Sequence, residues 1–470
     1  MPYGFTGKIL HVDLTSHKLE IEMPPYDFYR KYMGGSAMGV YYILRMMPAG
    51  VDSLSPENVI TVMISPTTGT SISGQSRVNV NAKSPISGTI GDSQGGGFFP
   101  AELKFAGFDG IVIKGRSEKP VYLSILHGEV KLQDASHLTG KLTGEVETLI
   151  RSEIGEPKAE VLQYGPAAEN GVIFSSLVSM ANRNNGRTGM GLVMASKNLK
   201  AIVVRGKQRP EVVDQKGITD LNKTGPILMP DNPDMEPLAK YGTANVVMPQ
   251  NTMGTLPTYN YNQGQFVHAE AISGETMYDT ILKERDTCYA CIVRCKRVVE
   301  IKDAPHQVAP LYGGPEYETL GTFGSYCGIS DLAAIAKANE ICNMYGVDTI
   351  ACGATIAFAM ECFEKGIIKS EQTGGIELRF GNADAMLAVL QQIVTSSGTL
   401  GKVLSQGSAR AAQVWGPAAE ECLITVKNAE APAHMPQAKK SLAVIYAVNP
   451  FGADHQSSEH DPMYEEGASD

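Results

Sequence analysis

The hydrophobic residues of this chain follow two different periods, and the change falls between residues 207 and 218. Before it, short β-branched runs recur at residues 59–64, 110–114, 121–126 and 201–205. Their length and composition predict strands, and glycine-rich turns separate them. Residues 207–217 are polar with an internal proline and read as a linker. After it, residues 331–346 and 354–366 carry Leu, Ile, Ala, Met and Phe at helical spacing, each closed by a glycine. Residues 383–395 and 400–415 predict further helices, the second interrupted by Gly401 and Gly407. A β-rich part followed by a helical part is the signature of an α+β protein. The predicted division is 1–208 (β-rich), 209–417 (helical) and 418–470 (the start of a third, helical domain).

Composition narrows the function classes. Forty basic against fifty acidic residues give a net charge of −10, so no basic face is expected for a nucleic-acid backbone. No apolar run reaches the ~18 residues of a membrane span. The N-terminus lacks the basic-then-apolar pattern of a signal peptide, which predicts a cytoplasmic protein. In a reducing compartment the eight cysteines point to a metal or redox role rather than to a disulfide framework.

Three of those cysteines are close together: Cys288, Cys291 and Cys295, in the order Cys-x2-Cys-x3-Cys. Thiolates at such spacing hold one side of an iron–sulfur cluster or a zinc ion. The order is not the Cys-x3-Cys-x2-Cys of radical enzymes that use S-adenosylmethionine, and the second pair of a zinc ribbon is lacking. A cubane cluster requires a fourth ligand from elsewhere. Spacing alone leaves iron–sulfur, zinc and metal-free readings open. The remaining five cysteines read as small buried hydrophobes.

Three loops carry glycine with arginine or amide side chains: residues 73–77 (SGQSR), 91–99 (GDSQGGGFF) and 182–191 (NRNNGRTGMG). Glycine lets backbone amides approach a phosphate and arginine supplies a bidentate fork. None is a Walker loop, and none has the full dinucleotide fingerprint. Singly each reads as a tight turn; together they point to a large phosphorylated cofactor.

These motifs, with Gly-Lys-Ile-Leu-His-Val-Asp-Leu near the N-terminus, Lys-Ser-Pro-Ile-Ser-Gly at 83–88, Gly-Pro-Glu-Tyr-Glu-Thr at 314–319 and Tyr-Ala-Val-Asn-Pro-Phe-Gly-Ala-Asp-His at 446–455, resemble the aldehyde:ferredoxin oxidoreductases, the tungsten-pterin family. The resemblance runs in order along nearly the whole chain. It implies two pyranopterin dithiolenes around one tungsten (molybdenum in some members), a nearby 4Fe-4S cluster, a β-rich base and helical domains covering it. It implies oxidation of a small aldehyde by water to a carboxylic acid, with electrons passing through the cluster to ferredoxin or a similar acceptor.

By motif position, Arg77, Gln94, Gly95, Gly96, Arg183 and Asn184 would contact the pterins and their phosphates, although relatives often carry Asn where Gln94 stands. Asp348 would accept from a pterin ring, and Cys288, Cys291 and Cys295 would hold the cluster. Glu316 and His455 match the family's active-site pair: Glu316 as general base with a pKa raised by burial, His455 as hydrogen-bond donor to the substrate oxygen. His434 stands where several relatives have a substrate-facing tyrosine. Without the resemblance, Glu316 reads as a solvated carboxylate and His455 as a loop histidine.

Two departures qualify the match. Family members are longer, and their fourth cluster cysteine lies in a C-terminal portion with no counterpart here, so that ligand is expected to be missing. A fragment, or half of a split enzyme completed by a second polypeptide, is the expectation. No Glu-x-x-His occurs, so the iron that bridges some dimeric members is not expected, while a homodimer remains compatible. Competing readings are a tungsten subunit of an aromatic acyl-thioester reductase complex, and a truncated, non-catalytic iron–sulfur electron-transfer protein. Arg294, Lys296 and Arg297 beside the cysteines would form a basic patch for an acidic ferredoxin.

Overall fold

The computed structural model describes residues 3–303, 305–458, 460 and 461. Two six-stranded sheets form its N-terminal part. The first takes β1 (Ile9–Asp13), β2 (Lys18–Glu22), β3 (Ile60–Ile64), β4 (Val78–Lys83), β5 (Ile90–Gly95) and β6 (Gly110–Lys114), in the spatial order β2-β1-β6-β3-β4-β5. The second takes β7 (Val121–Leu126), β8 (Glu129–Asp134), β9 (Glu160–Tyr164), β10 (Leu177–Ser179), β11 (Arg183–Asn185) and β12 (Leu199–Arg205), in the order β11-β10-β9-β12-β7-β8.

Strand period sorts their side chains into layers. Ile60, Val62 and Ile64 of β3 share one buried cluster with Leu123 and Ile125 of β7 and Ile202 and Val204 of β12. The alternate residue Met63 joins Ile9, Val112 and the helix Gly35–Met46 on the outer side of the first sheet. Gly39 of that helix has no room for a side chain: a Cβ there would stand 2.6 Å from Thr61 Oγ1. Ala201 and Val203 face outward from the second sheet onto Val146 and Ile150 of the helix Thr143–Ile154.

The polypeptide start is fastened by a buried ion pair. Lys104 Nζ lies 2.7 Å from Asp109 Oδ1 and donates to the Gly4 carbonyl, while Asp109 accepts from the amides of Thr6 and Gly7. Both side chains are almost fully buried.

The helical part follows the predicted pattern with shifted boundaries. Leu332–Tyr345 starts where Asp331 accepts from the amides of Ala333 and Ala334, and ends at Gly346 in the left-handed region. Thr349–Glu364 begins five residues earlier than periodicity indicates, because Asp348 caps it by accepting from the Ile350 amide. Every residue from Ile350 to Cys362 is buried, so this is a central helix, apolar all round. The stretch 400–415 is two helices, Gly398–Leu404 and Ser408–Trp415, separated by residues 405–407 and unbroken at Gly401. The predicted linker is non-helical to Asp214 and then enters the helix Gln215–Leu228.

Across that linker the two parts are tied by direct bonds. Thr143 Oγ1 donates to the Asn343 carbonyl, Arg187 Nη2 to the carbonyls of Glu430 and Ala453, and Arg410 Nη2 to that of Pro85. Among the described residues no helix is long and apolar enough to cross a membrane. Lys104→Ala would strand the Asp109 carboxylate in the core, and is expected to cost about 3–5 kcal/mol. Denaturant unfolding followed by circular dichroism checks this, and a loss under about 1 kcal/mol would contradict it.

Candidate active site and cysteine loop

The cysteine loop joins two antiparallel strands, β13 (Leu282–Asp286) and β14 (Lys296–Val299). Thr287 Oγ1 bonds the carbonyls of Cys288 and Cys291, and the Cys291 amide donates to the Cys288 carbonyl. All three glycine-bearing loops converge on it. Ser73 Oγ accepts from the Ile292 amide, and the Gly97 carbonyl accepts from Tyr289. A Cβ on Gly96 would stand 2.9 Å from Cys288 Sγ. Arg183, buried on β11, donates through Nη2 to Asp286 Oδ2 at 3.0 Å and to the Thr287 carbonyl at 2.9 Å.

Cys288, Cys291 and Cys295 are half-buried, whereas the other five cysteines are buried. Burial pushes the Cys295 thiol up, and the Glu316 carboxylate adds to the rise. Among the described residues no three His, Cys, Asp or Glu side chains are gathered closely enough to hold one metal ion. The basic patch expected here does not form. Arg297 is buried against the carbonyls of Ala239, Lys240 and Arg294, and Lys296 is bound by Glu316, which leaves Arg294 as the exposed cation.

The residues expected to hold pterins are spread over this same face. Gln94 and Arg77 are exposed, and Arg77 Nη2 reaches Gln456 Oε1 at 3.5 Å. Gly95 lies against Asn185, whose Oδ1 would stand 2.5 Å from a Cβ. Asn184 donates to Asn343 Oδ1. Four buried polar atoms of the 182–191 loop have no hydrogen-bond partner among the described residues: Arg183 Nε, Asn184 Oδ1, Arg187 Nη1 and Thr188 Oγ1. Asp348, besides capping its helix, lies 3.7 Å from Arg187 Nε; burial pushes its carboxyl up and Arg187 opposes this. Arg187 and Asp348 line a cavity of about 10 Å³ with Ser84, Thr188 and Glu430, enough for one water. Arg187 and Asn343 were not singled out from sequence, although Arg187 sits inside a loop that was.

The expected pair of Glu316 and His455 is not brought together. Glu316 is the extended residue before a short helix, Tyr317–Thr319. Its carboxylate meets Lys296 Nζ at 2.6 Å and accepts from Thr243 Oγ1. Burial alone would raise its pKa, but Lys296 and Thr243 outweigh it and hold the group below the usual carboxylate range. The raised pKa expected from sequence is therefore corrected.

Glu318, two residues on and inside the helix, points the other way. Its Oε1 lies 3.1 Å from His434 Nε2 and 3.9 Å from His455 Nε2, and its Oε2 accepts from the Ala433 amide. The two imidazoles stack with centroids 5.8 Å apart. Burial holds both below the usual histidine range, with Lys439 and His460 adding to the effect on His434 and Glu318 opposing it on His455. His455 Nδ1 is buried without a partner among the described residues. The signal for Glu318 was present in sequence, in the same Glu-Tyr-Glu run, but a motif does not tell which carboxylate faces the histidines.

Two sheets beside a helical part, with glycine and arginine loops gathered on a cysteine loop, make up the frame of the candidate site. The profile of the aldehyde ferredoxin oxidoreductase N-terminal domain matches residues 9–206, and that of domains 2 and 3 of the same enzymes matches residues 222–469. The chain belongs to the aldehyde ferredoxin oxidoreductase family and is an oxidoreductase. It is 38% identical to the tungsten-containing aldehyde ferredoxin oxidoreductase of Pyrococcus furiosus, over 96% of this chain and 74% of that protein. It is 30% identical to the WOR-like subunit of an aliphatic sulfonate oxidoreductase from the same organism, over 97% of this chain and 76% of the relative. Among solved structures, the active-site complex BamBC of benzoyl coenzyme A reductase, bound to 1,5-dienoyl-CoA, superposes with a TM-score of 0.84. That match is 27% identical and covers 96% of this chain and 69% of that one.

In the metal-free chain, iodoacetamide is expected to alkylate Cys288, Cys291 and Cys295 and to spare the other five thiols, because thiolate formation and access both require exposure. Peptide mass spectrometry reads the pattern, and early labelling of Cys342 or Cys352 would contradict it.

Proposed function

We propose that the chain oxidises a small aldehyde to a carboxylic acid at a tungsten–bispyranopterin centre. Electrons leave through an iron–sulfur cluster held by Cys288, Cys291 and Cys295 to ferredoxin or a similar acceptor. The observation that carries this reading is the Glu318–His455–His434 group in a protein 38% identical to a tungsten-containing aldehyde ferredoxin oxidoreductase over nearly its whole length. The residues present fit the cofactor. Unpartnered guanidinium nitrogens on Arg183 and Arg187 suit phosphate, the free amide oxygen of Asn184 suits an amino-pterin edge, and Gly95 and Gly96 leave no side chain in the way. In this reading 1–208 is the base, 209–417 carries the cluster ligands and 418–470 brings His434 and His455.

When bound, the tungsten-pterin group accepts the electron pair of the oxidation. Glu318 takes the proton of the water that adds to the carbonyl carbon. His455, through the unpartnered Nδ1, meets the substrate oxygen and stabilises the charge that develops there. Glu316, tied to Lys296 next to Cys295, holds the cysteine loop against the site.

A second reading keeps fold and cofactor but reduces an aromatic acyl-thioester with partner subunits, and the likeness to BamBC favours it. Anaerobically purified protein, expressed in a pterin-competent host and assayed for metal and for viologen reduction with aldehydes and aromatic acyl-thioesters, decides between them. Binding of neither tungsten nor molybdenum would sink both. In the loaded enzyme Glu318→Gln is expected to lower kcat by about 10²–10⁴ and Glu316→Gln by less than about tenfold. The reverse order would return the base to Glu316.

A further inference from the structure

We propose that His434 and Lys439 form a proton relay behind Glu318, leading from the reaction site toward His460. This rests on the aldehyde-oxidation reading. Oxidation of RCHO by H2O to RCOO⁻ releases three protons and two electrons. The electrons go to a one-electron acceptor such as ferredoxin, so the protons need a separate way out of a buried site.

The contacts are continuous. Glu318 Oε1 lies at ion-pair distance, 3.1 Å, from His434 Nε2 without forming a hydrogen bond there, His434 Nδ1 and Lys439 Nζ share a hydrogen bond at 2.7 Å, and Lys439 Nζ lies 3.4 Å from Nδ1 of the half-buried His460. The other oxygen of Glu318 faces a backbone amide, which passes no proton on. An imidazole with an ionisable group beside each nitrogen is the side chain that takes a proton on one face while releasing one from the other.

Lys439 is unlike the other buried lysines of this chain. Lys104 is paired with Asp109 and Lys200 with Glu169, and Lys197 donates to two carbonyls. Lys439 is 4% exposed, and among the described residues no carboxylate lies within ion-pair distance of it; its partners are two imidazoles. Of the two acids that act on it, Glu318 and then Asp461, the second is held by the amide and hydroxyl of Ser441. Burial lowers the Lys439 pKa, with Glu318 and Asp461 opposing. Around His434 the other polar groups are the hydroxyls of Tyr261 and Tyr446, both donating to its carbonyl, the ring of Tyr317, and His455, itself flanked by Asp454 and Arg187.

In the transfer, which starts from the Nδ1-protonated tautomer of His434, the proton on Glu318 passes to Nε2 as the Nδ1 proton passes to the neutral Lys439 amine. Lys439 then yields its proton to His460. Lys439 touches no reacting atom; it is a positioning residue that acts through His434.

The test uses the loaded enzyme with Lys439→Met, which removes the amine, and Lys439→Arg, which keeps the charge but does not deprotonate. Both are expected to lower kcat at least about tenfold, to enlarge the solvent deuterium isotope effect and to leave KM unchanged. Wild-type kcat and isotope effect in Lys439→Arg would reduce Lys439 to a structural charge and overturn the relay. Independently of activity, ¹⁵N-histidine NMR of the chain is expected to show His434 neutral with Nδ1 protonated as the pH falls through 6.5, and a shift to the Nε2-protonated tautomer in Lys439→Arg. A cationic His434, or one indifferent to that substitution, would overturn the relay whether or not aldehydes are substrates. An intact NMR signature without aldehyde turnover would instead count against the activity.

Discussion

The buried guanidinium of Arg183 carries the architecture of the site. It leaves β11 of the second sheet and binds both the side chain of Asp286 and the carbonyl of Thr287, the residue before Cys288. A charge-assisted contact out of water is worth considerably more than the same contact at the surface. Through it, the β-rich base sets where the cysteine loop lies, and the loop in turn sets where Gly96 meets Cys288 and Gly97 meets Tyr289. The first loop joins by Ser73 and the third supplies Arg183 itself, so three turns far apart in sequence become one surface.

The division of labour between two neighbouring carboxylates has an equally local cause. Glu316 is the last extended residue and Glu318 the second residue of a helical turn. Side chains on either side of such a change in backbone leave in different directions. One carboxylate meets Lys296 beside the cysteines, and the other meets two buried histidines. A two-residue step thereby separates a group held charged by a cation from one placed among groups that exchange protons.

Much of this was legible in the residues. The α+β class, the helices around residues 332–345 and 383–394, and the family followed from period and motif, because burial repeats with the geometry of the element. The early start of Thr349–Glu364 was hidden because Asp348 was read as a ligand alone, when its carboxylate also caps the helix. Gly401 read as a break but lies inside a helix, while Gly407 at φ +82° ends one. Glu318 and Lys439 were missed for a different reason. Neither differs by type or spacing from a solvated residue, and what marks them is partners brought in from residues 434, 455 and 460.

The stretch between residues 206 and 215 is the covalent join of two halves that also grip each other through Thr143, Arg187 and Arg410. Those bonds do not depend on the peptide passing between them. The site is thus built on an interface rather than on a chain, and two genes in place of one could encode it, provided each product folds its own core.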